Sequence, residues 1–245
     1  MQNPKVTIII PCFNTERYIE ASLLSALNQN YDNIEVIFVD NESTDRSVEI
    51  AKKVQERYPE LIMSSAANVY PNCWDEPRDA GLKLMTGDYV LTMGADDYIN
   101  THYIKNCMKI ISLNPDEIKA LQSPIRGLRE NTGIVFNEIK YEYHSLSEFK
   151  KSSLEGCPVN TPTVIFSASL YRDGLLKTSP EIYGGAPDYD LYCRLADHGI
   201  VIHTSSEWLG FYYRWHPDQA TWKVAEEGIN YDKMIQDYWS AKWKT

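Results

Sequence analysis

Two adjacent carboxylates, Asp96 and Asp97, follow the apolar run Tyr89–Met93, separated from it only by Gly94 and Ala95. Ionised side by side at a strand end they repel each other, a cost that cations or hydrogen-bond donors must offset. One solution is a hard divalent cation held by few protein oxygens and completed by substrate phosphates. The other is an acidic turn whose charge favours the N-terminal dipole of a helix near Asn100. Asp40, directly after Glu35–Val39, leaves three readings open: a turn former, a partner for a helix cap, or a ligand for a base or ribose. Asp188 and Asp190 introduce Leu191, Arg194 and Leu195, and the spacing of Asp190 and Arg194 suits a helical salt bridge. His216 stands among aromatics and precedes Pro217, which biases it towards an extended strand exit; a lone histidine so placed is more often structural than a ligand.

These residues need a frame, and the first half of the chain supplies one. Val6–Ile10 is a continuous β-branched run, as expected of a strand covered on both faces. Ile19, Leu23 and Leu27 recur at helical spacing and predict an amphipathic helix over Glu16–Gln29. Glu35–Val39 predicts a second buried strand, followed by a helix capped by Ser43 or Thr44 and ending near Tyr58. Residues 76–86 read as a helix and Tyr89–Met93 as a third strand. Such βαβ repetition predicts an α/β, Rossmann-like, mostly parallel central sheet flanked by helices. The later half is less regular. It has strand-like runs at 133–143 and 163–168 with a polar segment around Ser145–Gly156 between them, a helix over Asp188–His198, and an aromatic strand at Gly210–Trp215. The expected partition is a nucleotide-binding half at 1–100, an acceptor-binding half of the same domain at 101–220, and a helical tail at 221–245.

The first glycine is Gly81. A dinucleotide fingerprint or a P-loop needs bare backbone amides in the first strand-turn-helix, where this chain has Pro11-Cys12-Phe13-Asn14; both are excluded. In open α/β sheets ligands still bind beyond the carboxyl ends of the strands, which directs attention to Pro11–Asn14, Asp40–Asp45 and Gly94–Asp97. The net charge of −10, from 24 basic and 34 acidic residues, disfavours nucleic acid and anionic membrane as principal partners. The five cysteines (Cys12, Cys73, Cys107, Cys157 and Cys193) lie far apart without finger spacing, so reduced thiols in a cytoplasmic setting are expected. Val6–Ile10 is too short for a signal peptide, and no apolar run approaches the ~20 residues of a membrane span; peripheral membrane association stays open.

Taken together, these stretches resemble the family 2 glycosyltransferases, which have the GT-A fold. The resemblance lies in Val6–Asn14, Val39–Ser47, Arg78–Gly81, Gly87–Asp97, Asp188–Leu191 with Arg194-Leu195, and Tyr213-Arg214-Trp215-His216. It spans roughly residues 5 to 220, with the motifs in the family's order. It implies that Pro11, Phe13, Asn14 and Asp40 line a base and ribose pocket with Glu16 and Asn41 nearby, and that Arg78, otherwise a surface helix charge, faces the diphosphate. It further implies that Asp96 holds a metal and contacts the nucleotide, that Asp97 and His216 add donors, and that Asp188 is the catalytic base. Gly94 replaces the first acid of the family's Asp-x-Asp motif, and Asp79 stands where the family often has Asn.

The implied activity is inverting transfer of a sugar from a nucleotide-diphosphate sugar, of which a UDP-sugar is the first expectation, to an acceptor hydroxyl on a carbohydrate or lipid-linked glycan. Mn²⁺ or Mg²⁺ is the implied cofactor, offsetting the charge of the departing diphosphate, and the setting would be polysaccharide or glycoconjugate synthesis. Two alternatives differ in kind. A sugar-nucleotide pyrophosphorylase needs a glycine-rich loop after the first strand, which is missing; an inactive nucleotide- or carbohydrate-binding module is prompted by Gly94.

Overall fold

The computed structural model describes residues 3–129 and 131–244. In chain order its elements are β1 (Val6–Cys12), α1 (Ile19–Leu27), β2 (Ile34–Asp40), α2 (Ser47–Arg57), β3 (Ile62–Ser65), α3 (Asp75–Leu84), β4 (Tyr89–Thr92), β5 (Tyr98–Ile99), α4 (Tyr103–Ile111), β6 (Ala120–Gln122), β7 (Ile125–Arg129) and β8 (Val135–Ile139). There follow α5 (Leu146–Glu155), a 3₁₀ turn at Thr161–Thr163, β9 (Ile165–Ser167), α6 (Ala168–Arg172), α7 (Pro180–Tyr183), α8 (Pro187–Asp197), β10 (His203–Thr204), β11 (Phe211–Trp215), α9 (Ala220–Glu226) and α10 (Tyr231–Trp243).

The apolar runs pair as their burial demands. A seven-stranded sheet has the order β10-β6-β9-β4-β1-β2-β3. In it β1 is parallel to β2 and β4, β2 is parallel to β3, and β9 is antiparallel to both β4 and β6. Val6, Ile8, Ile9 and Ile10 are wholly buried because β1 is central and covered on both faces. Helix α3 comes so close to this strand that a Cβ on Gly81 would lie 2.5 Å from Ile9 Cγ2. Gly81 is therefore a packing glycine rather than a phosphate-loop one. A smaller sheet, β5-β11-β7-β8, stands beside the carboxyl ends of the large one and pairs Phe211 and Tyr212 of β11 with Ile99 and Tyr98.

Several expected boundaries shift for local reasons. Helix α1 begins at Ile19 and ends at Leu27, short of the 16–29 span, because Tyr18 and Ile19 first close a turn on the Thr15 carbonyl. Neither Ser43 nor Thr44 caps α2. That helix starts at Ser47, and the Ser43 and Thr44 amides instead donate to Asp40 and Asn14. The polar stretch at 145–156 is helix α5: Ser145 Oγ accepts the Glu148 amide at 3.1 Å while Glu148 Oε2 takes the His144 amide at 2.8 Å, a reciprocal cap. In the stretch 163–168, β9 occupies Ile165–Ser167, preceded by the 3₁₀ turn.

Helix α10 packs against α8. Trp239 is almost fully buried and its Nε1 donates to Asp190 Oδ1 at 2.9 Å; Trp243 Nε1 donates to Asp197 at 3.0 Å. All five cysteines are free thiols. Among the described residues no helix is long and apolar enough to cross a membrane.

Candidate active site

The turns after β1, β2 and β4 meet at one edge of the large sheet, where they floor a cleft of 1170 Å³. Its other walls come from α3, the 3₁₀ turn, the start of α8, the end of β11 and the segment 218–232. The first two turns interlock. Asn14, in the left-handed region at φ 51°, points Oδ1 at the Thr44 amide (2.8 Å), and its own amide donates to Ser43 Oγ at 3.0 Å. The Thr15 and Glu16 amides donate to Ser47 Oγ and Asp45 Oδ2, both at 2.9 Å. This bracing holds Pro11, Phe13 and Asn14 on the cleft wall, with Phe13 43% exposed.

Two residues expected at the nucleotide are not on that wall. Asp40 accepts the Ser43 amide with both oxygens, at 3.2 and 3.3 Å, the geometry of a turn former. Glu16 turns to Arg46, accepting its amide at 3.0 Å and its Nε at 3.1 Å; the Arg46 amide is the main reason its carboxyl lies below the usual range. Asn41 does line the cleft, and so does Asn68, a residue sequence reasoning missed. The Asn68 Oδ1 is buried without a hydrogen-bond partner among the described residues. Nothing in its local sequence marks it; only the pairing of β3 with β2 brings it there.

The third turn carries the acids. Asp97 is enclosed, and its Oδ1 accepts the Arg214 amide at 2.8 Å. Burial first, and the Asp96 charge second, push its carboxyl well above the usual range. Asp97 thus anchors β11, and its carboxylate is engaged with backbone. Asp96 is more open, with 22% of its side chain exposed, and its Oδ2 lies 2.9 Å from His216 Nε2. Arg214 Nε donates to the Asp96 carbonyl at 2.7 Å, and Gln219 Oε1 accepts the His216 amide at 3.1 Å. The His216 ring packs on Tyr18 at 4.8 Å, and its Nδ1 is buried without a partner among the described residues. Gly94 keeps this turn narrow: a Cβ there would meet Asp96 Oδ1 at 2.6 Å and Asp97 Oδ2 at 3.0 Å. No cluster of three or more His, Cys, Asp or Glu is assembled for a metal among the described residues. Asp96 and His216 are the pair the fold does bring together.

Arg78 is buried rather than a surface helix charge. Its guanidinium reaches Asp75 at 3.4 Å and Asp79 at 3.5 Å, donates to the Leu176 carbonyl, and lies 5.2 Å over the Trp74 ring. Asp75 also accepts from Thr178 Oγ1 and, at 2.8 Å, from Cys73 Sγ. Both Arg78 and Trp74 border the cleft.

Asp188 is in the first turn of α8, half-buried and on the cleft wall. Burial pushes its carboxyl above the usual range, while a 2.6 Å hydrogen bond from Thr161 Oγ1 acts in the opposite direction. Asp190, two residues on, is off the wall and committed to Trp239 and, at 3.6 Å, to Arg194. A carboxylate with raised basicity beside a large cleft can take a proton, and the Asp96–His216 pair can present oxygen and nitrogen donors. Lys223 on α9, also missed from the sequence, adds a cation to the lining. The aromatic cluster divides: Phe211 is core, Tyr212 stacks on Tyr98 at 4.5 Å, Tyr213 reaches the cleft, and Trp215 sits between Phe136 and Trp222.

Known proteins with similar sequences and structures share this frame. The model of the family described as "Glycosyl transferase family 2" matches residues 7–179. An uncharacterized glycosyltransferase of Haemophilus influenzae is 26% identical over 228 residues, covering 90% of this chain and 69% of that protein. The poly(ribitol-phosphate) beta-N-acetylglucosaminyltransferase TarS of Staphylococcus aureus is 27% identical over 184 residues, covering 73% of this chain but 29% of TarS. Another H. influenzae glycosyltransferase, 36% identical over 100 residues, is spanned for 39% of its own length. Among solved structures, S. aureus TarS 1-349 in complex with UDP-GlcNAc superposes with a TM-score of 0.70 at 23% identity, over 89% of this chain and 60% of that one. The mannosyltransferase PcManGT from Pyrobaculum calidifontis, in complex with GDP-Man and Mn²⁺, gives 0.65 at 16% identity, over 97% and 69%. These likenesses carry the same α/β frame, and the family match covers well over half of the sequence: the chain belongs to glycosyl transferase family 2.

Proposed function

We propose that this chain transfers a sugar, with inversion, from a UDP-sugar to a hydroxyl of a carbohydrate or lipid-linked glycan in polysaccharide or glycoconjugate synthesis. The observation that carries the proposal is one cleft bordered both by the Asp96–His216 pair and by the raised-pKa carboxyl of Asp188. Asp188 takes the proton as the acceptor O–H bond breaks; the acceptor oxygen bonds to the anomeric carbon, and the bond from that carbon to the diphosphate oxygen breaks on the opposite face. Pro11, Phe13, Asn14, Asn41 and Asn68 form the wall that receives the nucleoside, and the orphaned Asn68 Oδ1 offers an acceptor to a base N–H. Asp40 and Glu16 support this wall through Ser43 and Arg46.

The residues at Asp96 fit a hard divalent cation with few protein ligands: a carboxylate with 22% of its side chain exposed lies beside a histidine whose other nitrogen has no partner among the described residues. Mn²⁺ or Mg²⁺ held by Asp96 and His216 would supply counter-charge to the diphosphate; among the described residues lining the cleft, Arg78 and Lys223 are the other cations. Asp97, bonded to the Arg214 amide, is assigned to holding the turn. The Mn²⁺ in the PcManGT complex and the UDP-GlcNAc in the TarS complex fit this proposal. The free thiols suit a reducing cytoplasm, where the proposal places the protein.

Thermal shift across UDP- and GDP-sugars, with Mn²⁺ or with EDTA, tests the donor and the metal together. UDP plus Mn²⁺ is expected to raise the melting temperature well beyond either alone, as mass action requires of coupled binding. Equal stabilisation by UDP in EDTA overturns the metal assignment, and a preference for GDP overturns the base. An inert binding module would show the shift but release no UDP from any donor.

Gly94 gives a sharper check on the metal. Gly94→Asp places a new carboxylate in the space of Asp96 Oδ1, so it should turn Asp96 from His216 and weaken UDP binding in Mn²⁺ by about tenfold or more. The fold should survive, because the crowded atoms are side-chain tips. Tighter UDP binding in calorimetric titration would show instead that the turn accepts a third acid.

A further inference from the structure

Thr161 belongs to none of the motifs, yet its Oγ1 donates to Asp188 Oδ2 at 2.6 Å. It opens a turn that is fixed from behind. The Asn160 side-chain amide donates to the Ser123 and Ile139 carbonyls, both at 3.0 Å, and its backbone amide donates to Gln122 Oε1 at 2.8 Å. Thr163 Oγ1 donates to the Asn160 carbonyl, also at 2.8 Å. Tyr192, one turn along α8 from Asp188, is fully enclosed beside Thr161. An ionised carboxylate only accepts, so the Thr161 proton goes to Asp188. Burial keeps the Tyr192 phenol protonated, well above its ordinary pKa.

We infer that Thr161 is a positioning residue that fixes the plane of the Asp188 carboxylate and stabilises its ionised form. The inference rests on Asp188 being the base. Burial raises the Asp188 carboxyl above the usual range, and the Thr161 donor opposes that rise. The other titratable or charged groups around it are Asp75 on α3, which raises it further, Cys157 ahead of the turn, and Arg78, which faces Tyr192.

Two measurements test it: titration of the Asp188 carboxyl by ¹³C NMR, assigned by its loss in Asp188→Asn, and UDP release from UDP-N-acetylglucosamine as a function of pH. Thr161→Val should move both the titration and the acidic limb of the rate profile upwards by about one pH unit, the worth of one hydrogen bond to a charged group. Thr161→Ser should restore both. Thr161→Ala, which also lacks the hydroxyl, should shift them in the same direction, and it carries the test should Thr161→Val fail to fold. A titration unmoved in both variants overturns the inference, as does a titration that moves while the rate profile stays. Wild-type UDP release by Asp188→Asn would remove the base itself, and the inference with it; loss of release in Asp188→Asn with an unmoved Thr161→Val profile would remove Thr161 alone.

Discussion

Asp188→Asn is expected to lower sugar transfer by roughly two to four powers of ten, the usual worth of general base catalysis, while UDP binding stays near normal. The amide keeps the shape and can still accept from Thr161, but it cannot take the acceptor proton. The measurement is turnover at saturating donor beside donor affinity. Stability supplies a second readout whose sign can be worked out. Burial raises the Asp188 carboxyl above its value in the unfolded chain, so its protonation favours the fold at low pH and that contribution is lost as pH rises through the folded value. Removing the ionisable group should therefore help the variant's melting temperature, relative to the parent, more at alkaline pH than at acidic pH. Asp190→Asn should behave differently: it disturbs the Trp239 contact that holds α10 on α8 and the Arg194 pair within α8, lowering the melting temperature with a smaller effect on rate. Near-normal transfer by Asp188→Asn would move the base elsewhere.

Arg78→Met should destabilise the fold by about 3–5 kcal/mol, because it leaves the buried Asp75 carboxylate with Thr178 and Cys73 but no cation. The loss would appear as a lower denaturation midpoint without bound nucleotide. Adding Asp75→Asn should recover part of it, since the two residues are in contact and their effects are not additive. If Arg78 instead acts chiefly on the diphosphate, the denaturation midpoint stays put and only UDP affinity falls. The structure favours the first outcome: the guanidinium is tied to the Leu176 carbonyl and stacked on Trp74, so it braces the cleft wall from within.

The central sheet could be read from the sequence because its strands are buried on both faces, which writes them as nearly continuous apolar runs. Val6–Ile10 and Glu35–Val39 lie within β1 and β2, and Tyr89–Met93 runs one residue past the end of β4. The later elements leave weaker traces. Strands β6 and β10 are three and two residues long, too short for any period to show. Helix α5 looked merely polar, although Ser145 and Glu148 already carried the spacing of a reciprocal cap.

At the site, residue type decided what chemistry was available and the fold decided who performs it. The absence of early glycines, the paired acids at 96 and 97, and the acid at 188 are properties of the sequence; their reading as a cation site and a base came with the resemblance to the family. Sequence spacing could not separate Asp96 from Asp97, nor Asp188 from Asp190. Asp96 is the more open of its pair while Asp97 is enclosed on the Arg214 amide, and Asp188 borders the cleft while Asp190 is taken up by Trp239 and Arg194. Nor could it show that Asp40 and Glu16 turn to the Ser43 and Arg46 amides, or that Asn68 and Thr161 reach the cleft. The reason is physical. Which strand ends adjoin, and which hydrogen-bond donors are left for a given carboxylate, depends on pairings between segments far apart in sequence, such as β1 with β4 and Thr161 with Asp188; these exist only once the chain has closed on itself.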